Sequence, residues 1–149
     1  MNHPAVDELP EQATMTLLNI CDQLSMSAHA GLARWASSVS DALLIRLMSL
    51  TSGARFDVVD FVPSGPLALL DAAELDGLHA VVIAGAMTSD DAFVVEWCTR
   101  MDRLIVADFC RRAYEQVAVD AKAAAMVAEE RRLACVARIT APHLRSVSQ

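Results

Sequence analysis

The run Arg111–Glu130 holds neither glycine nor proline and is rich in alanine, a composition that admits one regular structure over such a length. Alanine enters a helix with no loss of side-chain freedom, and nothing in the run breaks the backbone hydrogen-bond ladder. A helix is predicted there, and the rest of the chain must be built around it.

The other segments are shorter and more apolar. Hydrophobic residues make up 54% of the 149 and charged residues 21%, too apolar for disorder. No uncharged apolar run approaches the roughly 18 residues of a membrane span, so a globular, soluble chain with a sizeable core is expected. His79-Ala80-Val81-Val82-Ile83-Ala84-Gly85 is continuously apolar after the turn-forming Asp76-Gly77 and reads as a strand covered on both faces. Phe56–Val62, rich in β-branched and aromatic residues and closed by Pro63-Ser64-Gly65-Pro66, reads as another. Arg103–Phe109 reads as a third. Ala13–Leu24 is strand or helix, and Leu43–Leu50, stopped by Thr51-Ser52-Gly53, is a strand unless the preceding helix runs on through it.

Between these lie helical patterns. Leu32, Trp35 and Val39 recur at three and four residues, a short helix covers Leu67–Leu75, and Phe93, Trp97 and Met101 recur at four after an N-cap at Ser89 reinforced by Asp90 and Asp91. Strand alternating with helix predicts an α/β fold, a single flavodoxin-like parallel sheet with helices on both faces. The expected organisation is a flexible N-terminus at 1–12, one α/β domain at 13–141 and a flexible basic tail at 142–149.

Charge and chemistry narrow the function. The net charge is −7, with the acidic excess in the first hundred residues and a slightly basic remainder, which disfavours direct nucleic-acid binding. Cys21, Cys98, Cys110 and Cys135 show no C-x-x-C spacing and read as reduced thiols. His3, His29, His79 and His143 are dispersed, so no metal and no cofactor is expected. No secretory signal is visible at the N-terminus, which points to the cytoplasm.

In parallel sheets chemistry gathers at the carboxyl ends of strands, which here means Asp22, Gly85 to Ser89, and Cys110. Cys110 follows the Leu104–Phe109 segment and opens the next helix beside Arg111 and Arg112, a setting that favours a thiolate. The bland alternative is a small side chain filling space between helix and sheet.

The order of these segments resembles the PfpI-type, class I glutamine-amidotransferase-like superfamily, especially the sensor domain of AraC-type transcriptional regulators. The resemblance is carried by Leu17–Met26 leading into Gly31-Leu32-Ala33-Arg34-Trp35, by Leu75–Gly85, by Cys110 at the elbow with Ala113-Tyr114 after it, and by Val119–Arg138. It implies a flavodoxin-like fold, with Cys110 as the elbow nucleophile, Asp22 as its acidic partner, and a ligand cleft at Gly85, Thr88 and Arg111. A stretch carrying a histidine is missing after the elbow, and Arg112 stands in place of a glycine. A non-catalytic, small-molecule-sensing or regulatory domain is therefore expected, partnered by a metabolite or regulatory protein. The alternatives are a cysteine-dependent hydrolase or deglycase-like enzyme using Cys110, and a self-associating interaction or remnant protein. Losing strands would leave an apolar edge to cover, so a homodimer is expected. Leu133–Arg145 faintly resembles part of an AraC-type helix-turn-helix and is read as a domain tail.

Overall fold

The computed structural model describes residues 3–53 and 67–147, with side chains described through 141. Among the described residues four α-helices follow in order: α1 (Glu11–Ser25), α2 (Ala30–Ser52), α3 (Ala72–Thr88) and α4 (Ala92–Val147), with a 3-10 turn at Leu67–Leu69. No strand occurs among the described residues, so the expected flavodoxin-like sheet is replaced by a helical architecture. The chain divides into two compact units, Met1–Asp108 and Phe109–Gln149.

The first unit is a small helical bundle. Each helix turns a stripe of apolar residues inward at three- and four-residue spacing. The stripes are Ala13, Leu17 and Cys21 in α1, and Leu32, Trp35, Ala36, Val39 and Leu43 in α2. Leu75, Leu78 and Val82 supply that of α3, and Val94, Trp97, Met101 and Ile105 that of α4. The segment before α1 joins them, with Val6 and Leu9 buried and the Leu9 carbonyl accepting from Arg46 Nε at 3.0 Å.

Each expected strand on described residues is thus corrected to helix, and each correction has a local cause. Ala13–Leu24 lies in α1, and its buried residues recur at four rather than two. Leu43–Leu50 is the continuation of α2, which stops only at Gly53. That glycine takes φ 67°, the left-handed conformation that terminates helices, and its N–H donates to the Ser49 carbonyl at 3.0 Å. His79–Gly85, with Asp76-Gly77 before it, lies inside α3.

The signal that decides α3 is Asp71-x-x-Glu74. Asp71 Oδ1 accepts from the Glu74 N–H at 2.8 Å while Glu74 Oε1 accepts from the Asp71 N–H at 3.1 Å, a reciprocal capping box. Helix nucleation here outweighs the strand-like composition of the run that follows, in which Val82 is buried while Ile83 is exposed. The expected helix at Leu67–Leu75 resolves into the 3-10 turn and the first turn of α3.

Arg103–Phe109 is likewise helical, part of α4. The expected cap at Ser89 falls two residues downstream: Asp91 Oδ1 accepts from the Phe93 N–H at 2.9 Å, and Ser89 Oγ accepts from the Asp91 N–H at 3.2 Å. The expected strand Phe56–Val62 lies outside the described residues.

Candidate interaction surface

The side chains singled out for chemistry are distributed over separate helices. Asp22 lies in α1, where its Oδ1 accepts from Ser40 Oγ of α2 at 3.0 Å. Gly85 lies in α3 facing α4, close enough that a Cβ there would sit 3.0 Å from Cys98 Sγ. Its use in this fold is close helix packing. Thr88 is exposed at the end of α3, donating its hydroxyl to the Ala84 carbonyl at 2.7 Å.

Cys110 and Arg111 belong to the second unit. Cys110 is exposed inside α4, a helix that begins at Ala92, so it stands at neither a strand-to-helix elbow nor a helix N-terminus. Arg111 pairs with Glu115 one turn on, at 2.7 Å. His79 meets Asp102 across α3 and α4, Nε2 to Oδ1 at 2.6 Å.

The buried thiols lie elsewhere. Cys21 and Cys98 are enclosed, and burial pushes Cys21 up to about 12, helped by the charge of Asp22, and Cys98 up to about 11. Neither is poised as a nucleophile. No group of three His, Cys, Asp or Glu side chains able to hold a metal occurs among the described residues. Among those residues no helix is long and apolar enough to cross a membrane.

Nor do two concavities lined by described residues form a metabolite cleft. A space of about 90 Å³ is bounded by Pro4, Glu8, Phe93, Trp97 and Arg100, small against the roughly 300 Å³ at which ligand pockets begin. A larger one of about 490 Å³ is lined solely by Asp90–Arg103, so it is one face of α4 rather than a cleft.

The second unit carries the feature without an internal explanation. Every residue from Ala113 to Ala141 is exposed, including Tyr114 at 78%, Val117 at 66% and Ile139 at 69%. Val119, Met126, Val127 and Leu133 are exposed on other sides of the helix, but part of the exposed apolar surface recurs on one side. The positions Cys110, Ala113, Tyr114 and Val117 repeat eleven residues on as Ala121, Ala124, Ala125 and Ala128, and again as Arg132, Cys135, Val136 and Ile139.

Eleven residues are just over three helical turns, so the repeat keeps one stripe on one side of a nearly straight helix. Within the stripe Arg132 is the one charged residue, and Glu129 holds its guanidinium through two hydrogen bonds at 2.8 and 2.9 Å. That pairing keeps the Glu129 carboxyl below its usual range. Asp120, Lys122, Glu129 and Arg131 flank the stripe.

The helix has local support from Arg111 to Glu115 and from Gln116 to Asp120, the latter at 2.9 Å. Exposed pairs of this kind contribute only about 0.3–0.5 kcal/mol each. An isolated helix is marginal in water without tertiary packing of its apolar face. The eleven-residue period was readable in the sequence but is hidden there once Cys110 is assigned to an elbow.

With the geometry in hand, comparison with known proteins returns no matching family model, no matching curated protein and no matching solved structure.

Proposed function

We propose that this chain is a non-catalytic interaction module that self-associates through the exposed apolar face of α4. The observation that carries the reading is the continuous stripe from Cys110 to Ile139 on a segment whose residues are exposed from Ala113 to Ala141. Contiguous exposed apolar surface is the mark of an association site.

Metabolite sensing, which the resemblance to AraC-type sensor domains implies, depends on a sheet-edge cleft that gathers Gly85, Thr88 and Arg111. Gly85 instead serves helix packing, and Thr88 is bonded within its own helix. The cysteine chemistry that the resemblance implies rests on a strand-to-helix elbow, and Cys110 stands in mid-helix. Pairing is therefore the reading the geometry favours.

Sedimentation equilibrium up to about 100 μM tests it. The expected result is a reversible dimer that Val117→Asp converts to monomer. Trp35 and Trp97, both buried in the bundle, keep their native fluorescence in that variant and report that the first unit is intact. A monomer at every concentration overturns the proposal.

A further inference from the structure

We infer that two copies pair antiparallel along α4, centred level with Ala125 and Met126; the inference rests on the self-association reading above and fixes its geometry. The stripe ends at Cys110 and Ile139, and an antiparallel pair centred one residue past its midpoint overlaps nearly its whole length. Val117 then lies within one or two residues of the level of the partner's Cys135, as Tyr114 does of the partner's Ile139 and Ala124 of the partner's Ala128.

Arg132 decides the direction. A parallel, in-register pair would place two Arg132 side chains in one layer. Their like charges would repel, and their stems would hold the helices apart beside Ala121, Ala124, Ala125 and Ala128, whose small side chains need close approach. The antiparallel pair sets Arg132 opposite the partner's Ala121, where there is room for its aliphatic stem. The guanidinium stays at the rim, where Glu129 already holds it at 2.8 Å.

The flanks agree with this arrangement. Antiparallel helices bring the same edge of each together, so Asp120 meets the partner's Arg131 and Lys122 meets the partner's Glu129. Two-fold symmetry repeats both contacts, and all four are between opposite charges.

The stripe is roughly 44 Å long at the helical rise per residue. At about 10 Å wide, two copies cover roughly 900 Å², below the ~1,200 Å² of standard interfaces, so dissociation in the micromolar range is expected.

Disulfide mapping on the full chain under mild oxidation tests the direction, alongside sedimentation equilibrium on reduced protein. The expected result is a dimer in which V117C cross-links to Cys135 of the other copy, while the wild type forms no Cys135–Cys135 or Cys110–Cys110 bridge. D120R is expected to weaken dimerisation roughly tenfold, and D120R/R131D to restore it. A reduced dimer whose wild type bridges Cys135 to Cys135, with no bridge from V117C to Cys135, overturns the antiparallel arrangement and leaves self-association standing. A monomer throughout overturns both.

Discussion

Removing the carboxylate of Glu74 is expected to destabilise the bundle far more than removal of a surface acid. Glu74 is 7% exposed, and its two oxygens serve two helices. Oε1 accepts from the Asp71 N–H at the start of α3, and Oε2 accepts from the Leu32 N–H in the first turn of α2 at 2.5 Å. Both donors are among the amides that a helix N-terminus leaves without internal partners, and both lie at the positive end of a helix dipole.

Hydrogen bonds to a charged acceptor contribute about 1.5–3 kcal/mol each, and water reaching the vacated space recovers part of that. Glu74→Ala should therefore cost about 3 kcal/mol, a large share of a domain's typical 5–15 kcal/mol. Thermal unfolding followed by circular dichroism should fall by roughly 10 °C. Gly31 supplies the internal check. A Cβ at that position would meet Glu74 Oε2 at 2.5 Å and Oε1 at 2.7 Å, so Gly31→Ala should also destabilise, by about 2 kcal/mol.

The three nearest atoms to that Cβ all belong to the Glu74 carboxyl group, so in a Glu74→Ala background the same Gly31 substitution should cost much less. A fall of less than about 3 °C for Glu74→Ala, or additive effects in the double variant, would refute the shared-cap argument.

Gly77→Ala should stabilise by about 1 kcal/mol in urea denaturation, because Gly77 is an exposed helical position where a Cβ meets nothing nearer than Leu32 Cδ2 at 3.9 Å. Stabilisation should decline as pH rises from about 9 toward about 12, since Cys21 keeps its proton in the fold to about 12 and loses it near 9 when unfolded. A flat stability profile over that window would count against Cys21 being enclosed. In protein dilute enough to be monomeric, Cys110 and Cys135 should be alkylated readily, while Cys21 and Cys98 stay unlabelled until unfolding, as peptide mass mapping would show. A double-mutant cycle on His79 and Asp102 should give a coupling of about 0.5–1 kcal/mol, and no coupling would mean that the pair is incidental.

The helix over Arg111–Glu130 and the inward face of Leu32, Trp35 and Val39 were legible because both rest on local properties, alanine content and three-to-four periodicity. Phe93, Trp97 and Met101 were legible in part, since Trp97 and Met101 are buried and Phe93 is exposed. The sheet was misread because a seven-residue apolar run such as His79–Gly85 has the same composition in a buried strand and in a helix. What separated the two lay upstream in Asp71 and Glu74, a pairing that is diagnostic only when both ends are considered together.

Leu43–Leu50 was open to either reading, and Gly53 marks the end of that element without saying which kind of element ends there. Glu74's second role was not legible at all. Its contact with Leu32 joins residues 42 apart, and no local pattern encodes it. The candidate site was present as the eleven-residue spacing from Cys110 to Ile139, yet a search for nucleophiles gives weight to Cys110 as chemistry rather than as one position of a repeated face.

That spacing also governs which changes of length the segment can absorb. Each residue advances a helix by about 100°, so deleting one between Val117 and Cys135 swings everything beyond it to another side and cuts the stripe in two. Excising one whole repeat, such as Ala121–Arg131, shifts the phase by only about 20° and leaves a shorter but unbroken stripe. Lineages of this chain would thus be expected to differ in the length of α4 by multiples of eleven residues far more readily than by one or two.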